Sequence, residues 1–253
     1  MSDPYQSGIP RQPITVRLGR QTRALARSEI LAWEVRQATK ELRRLDATTP
    51  PKGDVDALRA AVVEAKRILG REEIQRRLAT QVKWSDWLVR AIARASGRHR
   101  RLCQVELFVP HGSAAAFPTW YFDRAAADDE AAFLLACPDH HLFRLTPDGR
   151  QEVWETTGGS PLASRFFFTM EDVADLVTPA DSSYPVQMAG AARLADGTLI
   201  GGIRHQFRDE PGGMRALLTV EYPWLMGPFA VALHRWHVAC EFSVWAEAAN
   251  RRR

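Results

Sequence analysis

The chain has 253 residues, 45% of them hydrophobic and 25% charged, with 34 Lys+Arg against 30 Asp+Glu and a formal charge of +4. That length suits one large domain or two smaller ones with a sizeable core. No run approaches the roughly 18 apolar residues of a membrane span, and the start, MSDPYQSGIPRQP, lacks the apolar centre of a signal peptide, so a soluble, cytoplasmic protein is expected.

Three cysteines, Cys103, Cys137 and Cys240, are an odd number at wide spacing without a CxxC pair. They suggest reduced, buried thiols rather than disulfides or a cysteine-based zinc site. The charge is uneven: residues 1–100 hold 21 Lys+Arg and 11 Asp+Glu, leaving 13 and 19 for the rest. The acids and bases of the first hundred residues are interleaved and no aromatic stacking motif accompanies them, which disfavours nucleic acid as a partner and favours the charged outer face of a helical bundle.

Residues 1–20 hold Gly and several Pro with little periodicity and are expected to form a flexible arm. From Gln21 to Leu45, Leu31, Val35, Ala38, Leu42 and Leu45 recur at helical spacing, and after the TTPPKG stretch Asp54 can cap a second helix with Val55, Leu58, Val62, Ala65 and Leu69 inward. A third helix is expected from Arg71 to Ala95, with Ile74, Leu78, Trp84, Leu88 and Ile92 inward. Matched seams and a short loop predict that the first two helices form an antiparallel hairpin, which with the third makes a helical region over 21–100 and allows a homodimer through these helices without requiring one.

After Leu102 the period changes to two. CQVELFV, TWYF, HLFRL, QEVWET, RFFF, ARLADGTLIGGIRHQF and MRALLTVEY are expected strands, with short helices at 125–136 and 170–177 and a long last helix begun by Pro228. The expected fold class is α+β: an N-terminal helical region before a domain at 101–253, in which a curved antiparallel sheet is closed by the C-terminal helix.

Two elements of that domain carry chemistry. In LHRWHVACEFSVW, His237 and Glu241 lie four residues apart on one face of an otherwise apolar helix, and His234 shares that face. A carboxylate there costs several kcal/mol unless paired or coordinated. In HHLFRLTPDGRQEVWET, Pro147, Asp148 and Gly149 fit a three-residue hairpin loop that pairs Thr146 with Arg150 and sets His141 opposite Glu155. His141 would then point inward with Phe143, Leu145 and Val153, while His140 shares the other face with Arg144 and Glu152. A two-residue Asp-Gly turn would slip the register and separate His141 from Glu155. Two His/Glu pairs aimed inward suit zinc first, with manganese or iron as substitutes. The competing reading is a buried polar network bracing a cavity wall.

The stretches TWYFDRAAADDEAAFLLACPDHHLF, VWETTGG, GTLIGGIRHQF, ALLTVEYPWLMG and HVACEF, taken in order, resemble the 2,4-diacetylphloroglucinol hydrolase and phloretin hydrolase family. The likeness spans residues 118–246. It implies a helix-grip fold akin to START and Bet v1 proteins, a zinc ion held by His141, Glu155, His237 and Glu241, and hydrolysis of a carbon–carbon bond in an acylated phenol or polyketide-like molecule. Glu155 and Glu241 would double as proton carriers, with His205, His234, Tyr121 and Tyr222 as donors or substrate clamps. Phe133 and Trp224 stand where the family has tyrosines expected to meet the ligand, which departs from a phloroglucinol-type substrate. The alternatives to an enzyme are a non-catalytic binder of a small hydrophobic or phenolic ligand and a subunit that joins a larger assembly through its basic helices.

Overall fold

The computed structural model describes residues 12–19, 23–50, 54–157 and 160–251. Nine strands form one antiparallel sheet in the order β2-β1-β3-β9-β8-β7-β6-β5-β4. The first two are β1 (Thr15–Leu18) and β2 (Leu25–Ala26), followed by helices α1 (Arg27–Arg44) and α2 (Val55–Ser96). Then come β3 (Arg100–Pro110), α3 (Ala116–Ala126), α4 (Glu130–Ala136), β4 (His140–Leu145), β5 (Gln151–Glu155), β6 (Ser164–Met170), β7 (Val186–Arg193), β8 (Leu199–Glu210), β9 (Gly213–Pro223) and α5 (Pro228–Asn250). The chain is thus a mixed α/β protein with a large open antiparallel sheet and a long C-terminal helix.

The core explains the layering. On one side of the sheet, Val105, Leu107 and Val109 of β3 and Phe143 of β4 pack with Phe117 and Tyr121 of α3 and with Val238, Phe242 and Trp245 of α5. On the other side of β4 and β5, Leu142 and Trp154 pack against Ile74, Leu78 and Val82 of α2. Alternation along β4 therefore feeds two different cores. Helix α1 joins α2 through Ala38, Leu42, Leu58 and Val62, and contributes Ile30 and Trp33 to the first core. Buried ion pairs tie α1 to α5 and α2 to α1: Arg27 Nε donates to Glu247 Oε1 at 2.8 Å and Arg59 Nη2 to Glu34 Oε2 at 2.8 Å.

Several expectations are corrected. Part of the supposed arm is strand: Thr15–Leu18 pairs with β3, and Val16 and Leu18 are buried, so apolar alternation outweighs the Gly and Pro around it. The rest of the arm, residues 1–11 and 20, lies outside the described residues. TWYF is helix rather than strand, because Phe117, Trp120, Tyr121 and Ala125 bury one helical face and period outweighs aromatic β-propensity. Only the end of 125–136 is a separate helix, capped by Asp129. Segment 170–177 is not helical. Glu171 takes φ 67° and its N–H donates to Ala189 O, so the backbone there extends the β6–β7 pairing instead of starting a helix. The second and third helices form one element divided at Gly70, whose φ of 75° and ψ of 159° break the helical path.

Candidate metal centre

The hairpin of β4 and β5 closes on the expected three-residue loop. Gly149 adopts φ 81°, Thr146 N donates to Arg150 O at 2.8 Å, and Phe143 pairs with Val153. The register holds through Leu142 opposite Trp154 and then shifts at a β-bulge, so that His140, not His141, stands opposite Glu155. A bulge places one extra residue on a strand and re-aims the side chains beyond it. His140 consequently faces the cavity and His141 the helices, the reverse of the expected assignment.

His140 then meets the residues of α5. Its Nε2 lies 3.1 Å from Glu241 Oε2, 3.2 Å from His237 Nε2 and 3.9 Å from Glu155 Oε2. His237 Nε2 lies 3.5 Å from Glu155 Oε2 and 3.7 Å from Glu241 Oε2. The two imidazole Nε2 atoms therefore each lie within 3.9 Å of the same two carboxylate oxygens and 3.2 Å from one another. His140 Nδ1 donates to Phe133 O at 2.8 Å; a carbonyl can only accept, so this bond places the proton on Nδ1 and leaves the Nε2 lone pair facing the cluster in the neutral ring. On the far side of His237, Nδ1 lies 3.5 Å from Cys137 Sγ and 3.7 Å from Asp139 Oδ2.

Electrostatics match this crowding of acceptors. Burial pushes the Glu155 carboxyl up, but the imidazoles of His237, His234 and His140 together pull it below the ordinary carboxylate range. Burial pulls His237 down, and Glu155, Asp139 and Glu241 more than reverse it, raising it well above the usual imidazole value. A proton on His237 thus supplies part of the positive charge the cluster needs. Cys137, His140 and His237 each offer a ligand atom within 4.8 Å of the others, so the group can hold a metal ion. Burial raises the Cys137 thiol well above its ordinary value, and its sulfur faces the Nδ1 edge of His237, away from both carboxylates. The Nε2 side is the better-equipped half of the cluster.

The cluster adjoins a cavity of about 220 Å³. Its walls are largely apolar, with Phe143, Val153, Phe166, Met188, Phe242 and Trp245 among them, and His140, Glu155, Glu241, Tyr121, Tyr222, His205 and His234 face it. Burial drives both His205 and His234 down to about 3, so they are neutral, and the Nδ1 of each lacks a hydrogen-bond partner among the described residues. Tyr121 Oη donates to Gln151 Oε1 at 3.2 Å.

Of the other expected site residues, His141 is diverted: its Nδ1 lies 3.2 Å from Glu41 Oε1 and its Nε2 2.6 Å from Thr156 Oγ1, on the helix side of the strand. Phe133 is buried and stacked on Phe143 at 3.8 Å, where it holds His140 by its carbonyl but does not line the cavity. Trp224 is half exposed under the Arg101 guanidinium and also lies outside the cavity wall. The residues that sequence reasoning missed are His140, Asp139 and Cys137. Nothing in the period of β4 marks its bulge; the one available signal was Lys66, a lysine beside the apolar seam of α2.

Fold and site together define a mixed α/β protein whose C-terminal helix and sheet enclose a buried donor cluster able to hold a metal ion. No family model and no curated protein matches the sequence. Among solved structures, an uncharacterised protein of Rhizobium leguminosarum aligns at 15% identity and a TM-score of 0.36, over 61% of this chain and 97% of that one. Protein Ms6760 of Mycobacterium smegmatis aligns at 17% identity and a TM-score of 0.32, over 57% and 88%. Neither likeness is close enough to bear on fold or activity.

Proposed function

We propose that the protein is a zinc-dependent hydrolase that cleaves a carbon–carbon bond in an acylated phenol or polyketide-like molecule bound in the cavity. The observation that carries this reading is the convergence of His140 Nε2, His237 Nε2, Glu155 Oε2 and Glu241 Oε2, with nitrogen–oxygen and nitrogen–nitrogen separations of 3.1–3.9 Å, in a buried setting that offers little else to neutralise two carboxylates. Nitrogen and oxygen donors in this ratio suit zinc, with manganese or iron as substitutes. The Phe133 carbonyl that accepts from His140 Nδ1 is the kind of outer partner that orients a metal-binding imidazole, and the Asp139 carboxylate lies 3.7 Å behind His237 Nδ1. The sheet with its C-terminal helix suits a helix-grip arrangement, and the ligands that the resemblance to the phloretin hydrolase family implies agree with this site at Glu155, His237 and Glu241 but not at His141, whose place His140 takes.

A bound zinc would supply Lewis acidity to an acyl carbonyl and a more acidic water. The chain's own residues do the rest. Water adds its oxygen to the acyl carbon, the bond from that carbon to the ring breaks, and the ring carbon gains a proton; the products are a carboxylic acid and the deacylated phenol. Glu155, held ionised, is placed to take the proton from water, and Glu241, at the cavity edge of the cluster, to pass one to the ring carbon. Neutral His205 and His234, with Tyr222, can bind ring hydroxyls without adding charge. The apolar walls hold the ring and exclude bulk water.

Elemental analysis of protein purified without chelator should find close to one zinc, manganese or iron per chain, and chelation should abolish release of carboxylic acid from acylated phenols. Absence of any such metal would sink the hydrolase and leave a non-catalytic binder of small phenolic ligands, a reading that the unpartnered His205 and His234 also suit.

A further inference from the structure

Strand β4 is the edge of the sheet, so the carbonyls on its outer side have no strand to accept from. Thr156 N donates to Asp139 O at 2.8 Å, which turns the neighbouring carbonyls of Pro138 and His140 away from β5. Both are taken by one side chain. Lys66 Nζ of α2 donates to Pro138 O at 2.7 Å and to His140 O, and lies 3.5 Å from Glu41 Oε1 of α1. Lys66 is fully buried; its ammonium group donates to the two carbonyls, and the Glu41 carboxylate faces it as an ion-pair partner. Glu41 in turn lies 3.2 Å from His141 Nδ1, so the same carboxylate anchors the lysine and receives the histidine that the bulge expels.

The bracket acts where the register changes. The residues it grips, 138 and 140, end at the bulge; the second carries the His140 imidazole, and Asp139 between them carries the carboxylate behind His237. Buried lysines are rarely retained for stability alone, because desolvating the ammonium group costs about as much as its pairing returns. We propose that Lys66, backed by Glu41, is the positioning residue of the candidate metal centre: by fixing the Pro138 and His140 carbonyls it keeps the bulge that turns His140, rather than His141, toward His237 and Glu241. This rests on the metal reading above for its functional consequence, but not for its geometry.

The test compares wild type with Lys66→Met and with the double variant Lys66→Met/Glu41→Leu, which removes both charges and leaves none buried alone. Zinc affinity is measured by competition with a chromophoric chelator, and folding by circular dichroism. Both variants should bind zinc about 10- to 100-fold more weakly, the range for loss of an outer support of a metal ligand. The double variant should remain folded, so a stability defect in the single variant does not decide the matter. A crystal structure of the metal-free double variant should also show His140 no longer opposite Glu155. Zinc affinity within about twofold of wild type in a folded double variant would overturn the proposal. So would failure of the double variant to fold, which would make the pair a requirement of the fold itself. If wild type binds no zinc, the metal reading fails, while the strand register of the double variant still decides whether Lys66 holds the bulge.

Discussion

Two adjacent histidines leave β4 in opposite directions and enter regions of opposite chemistry. His141 joins a closed network: Glu41 faces one ring nitrogen, Thr156 bonds the other, and Arg44 Nη1 donates to the same Thr156 hydroxyl at 3.2 Å while its Nη2 reaches Gln81. Burial lowers this imidazole, and each ring nitrogen faces one polar neighbour, Glu41 or Thr156. His140 has one nitrogen tied to a carbonyl and the other aimed at His237, Glu241 and Glu155, an excess of acceptors over protons. Both side chains are about equally buried, so burial does not separate a structural histidine from a ligand. The balance of donors and acceptors around it does.

That contrast makes the largest prediction. His140→Ala should lower metal affinity by more than about 100-fold, beyond the loss expected from an outer support, whatever it costs in stability through the Phe133 carbonyl left without its donor. His141→Ala should retain stoichiometric metal and instead destabilise the fold by about 1–3 kcal/mol, because Glu41 and the Thr156 hydroxyl lose a buried partner. Elemental analysis and thermal melts of the two variants separate the cases, and the opposite pattern would restore His141 as the ligand and break the comparison.

How much of this was written in the sequence varies with the distance over which each feature is decided. The i, i+4 spacing of His237 and Glu241 is a property of one helix, and it survives unchanged. The hairpin register up to Leu142 is set by Pro147, Asp148 and Gly149 a few residues away, and it too was readable. The bulge was not, because it is gripped by Lys66, 72 residues from Pro138 in the chain. One residue of slip then exchanges the faces of every side chain beyond it, so a correct turn still yielded the wrong histidine. Likewise TWYF has the composition of a strand, and only its packing against α5 reveals the helical face.

A smaller effect sharpens the helix side of the comparison through pH. Burial raises the Glu41 carboxyl, but Lys66, His141 and Arg44 hold it down to about 2. Its folded value is depressed relative to 4.5, so the stability it contributes is full above about pH 4.5 and is lost as pH falls toward 2. The difference amounts to about 3.5 kcal/mol at most, since each tenfold change in proton affinity is worth roughly 1.4 kcal/mol. Glu41→Gln should therefore be less stable than wild type at neutral pH, with the gap closing between pH 4.5 and 2 in denaturant titrations of the metal-free protein. A gap that stays constant over that interval would mean Glu41 is not the charged centre of the network.

The smallest prediction concerns the helix that serves both regions. The first part of α2 carries Lys66 to the edge of β4, and the part after Gly70 carries Ser85, Leu88 and Val89 to the cavity wall. Gly70 joins them at φ 75°, where a side chain is disfavoured, yet a Cβ there would meet nothing within 4 Å. Gly70→Ala should therefore cost about 1–3 kcal/mol from backbone conformation alone, because φ 75° with ψ 159° is a region essentially reserved for glycine, and should lower the melting temperature measurably. Because the strain can be absorbed at the break without moving Lys66, zinc affinity should stay within about threefold of wild type, a change of less than about 1 kcal/mol. A loss as large as that expected for Lys66→Met would show that the break transmits strain into the bracket, and that the two faces of β4 answer to a single helix rather than to separate contacts.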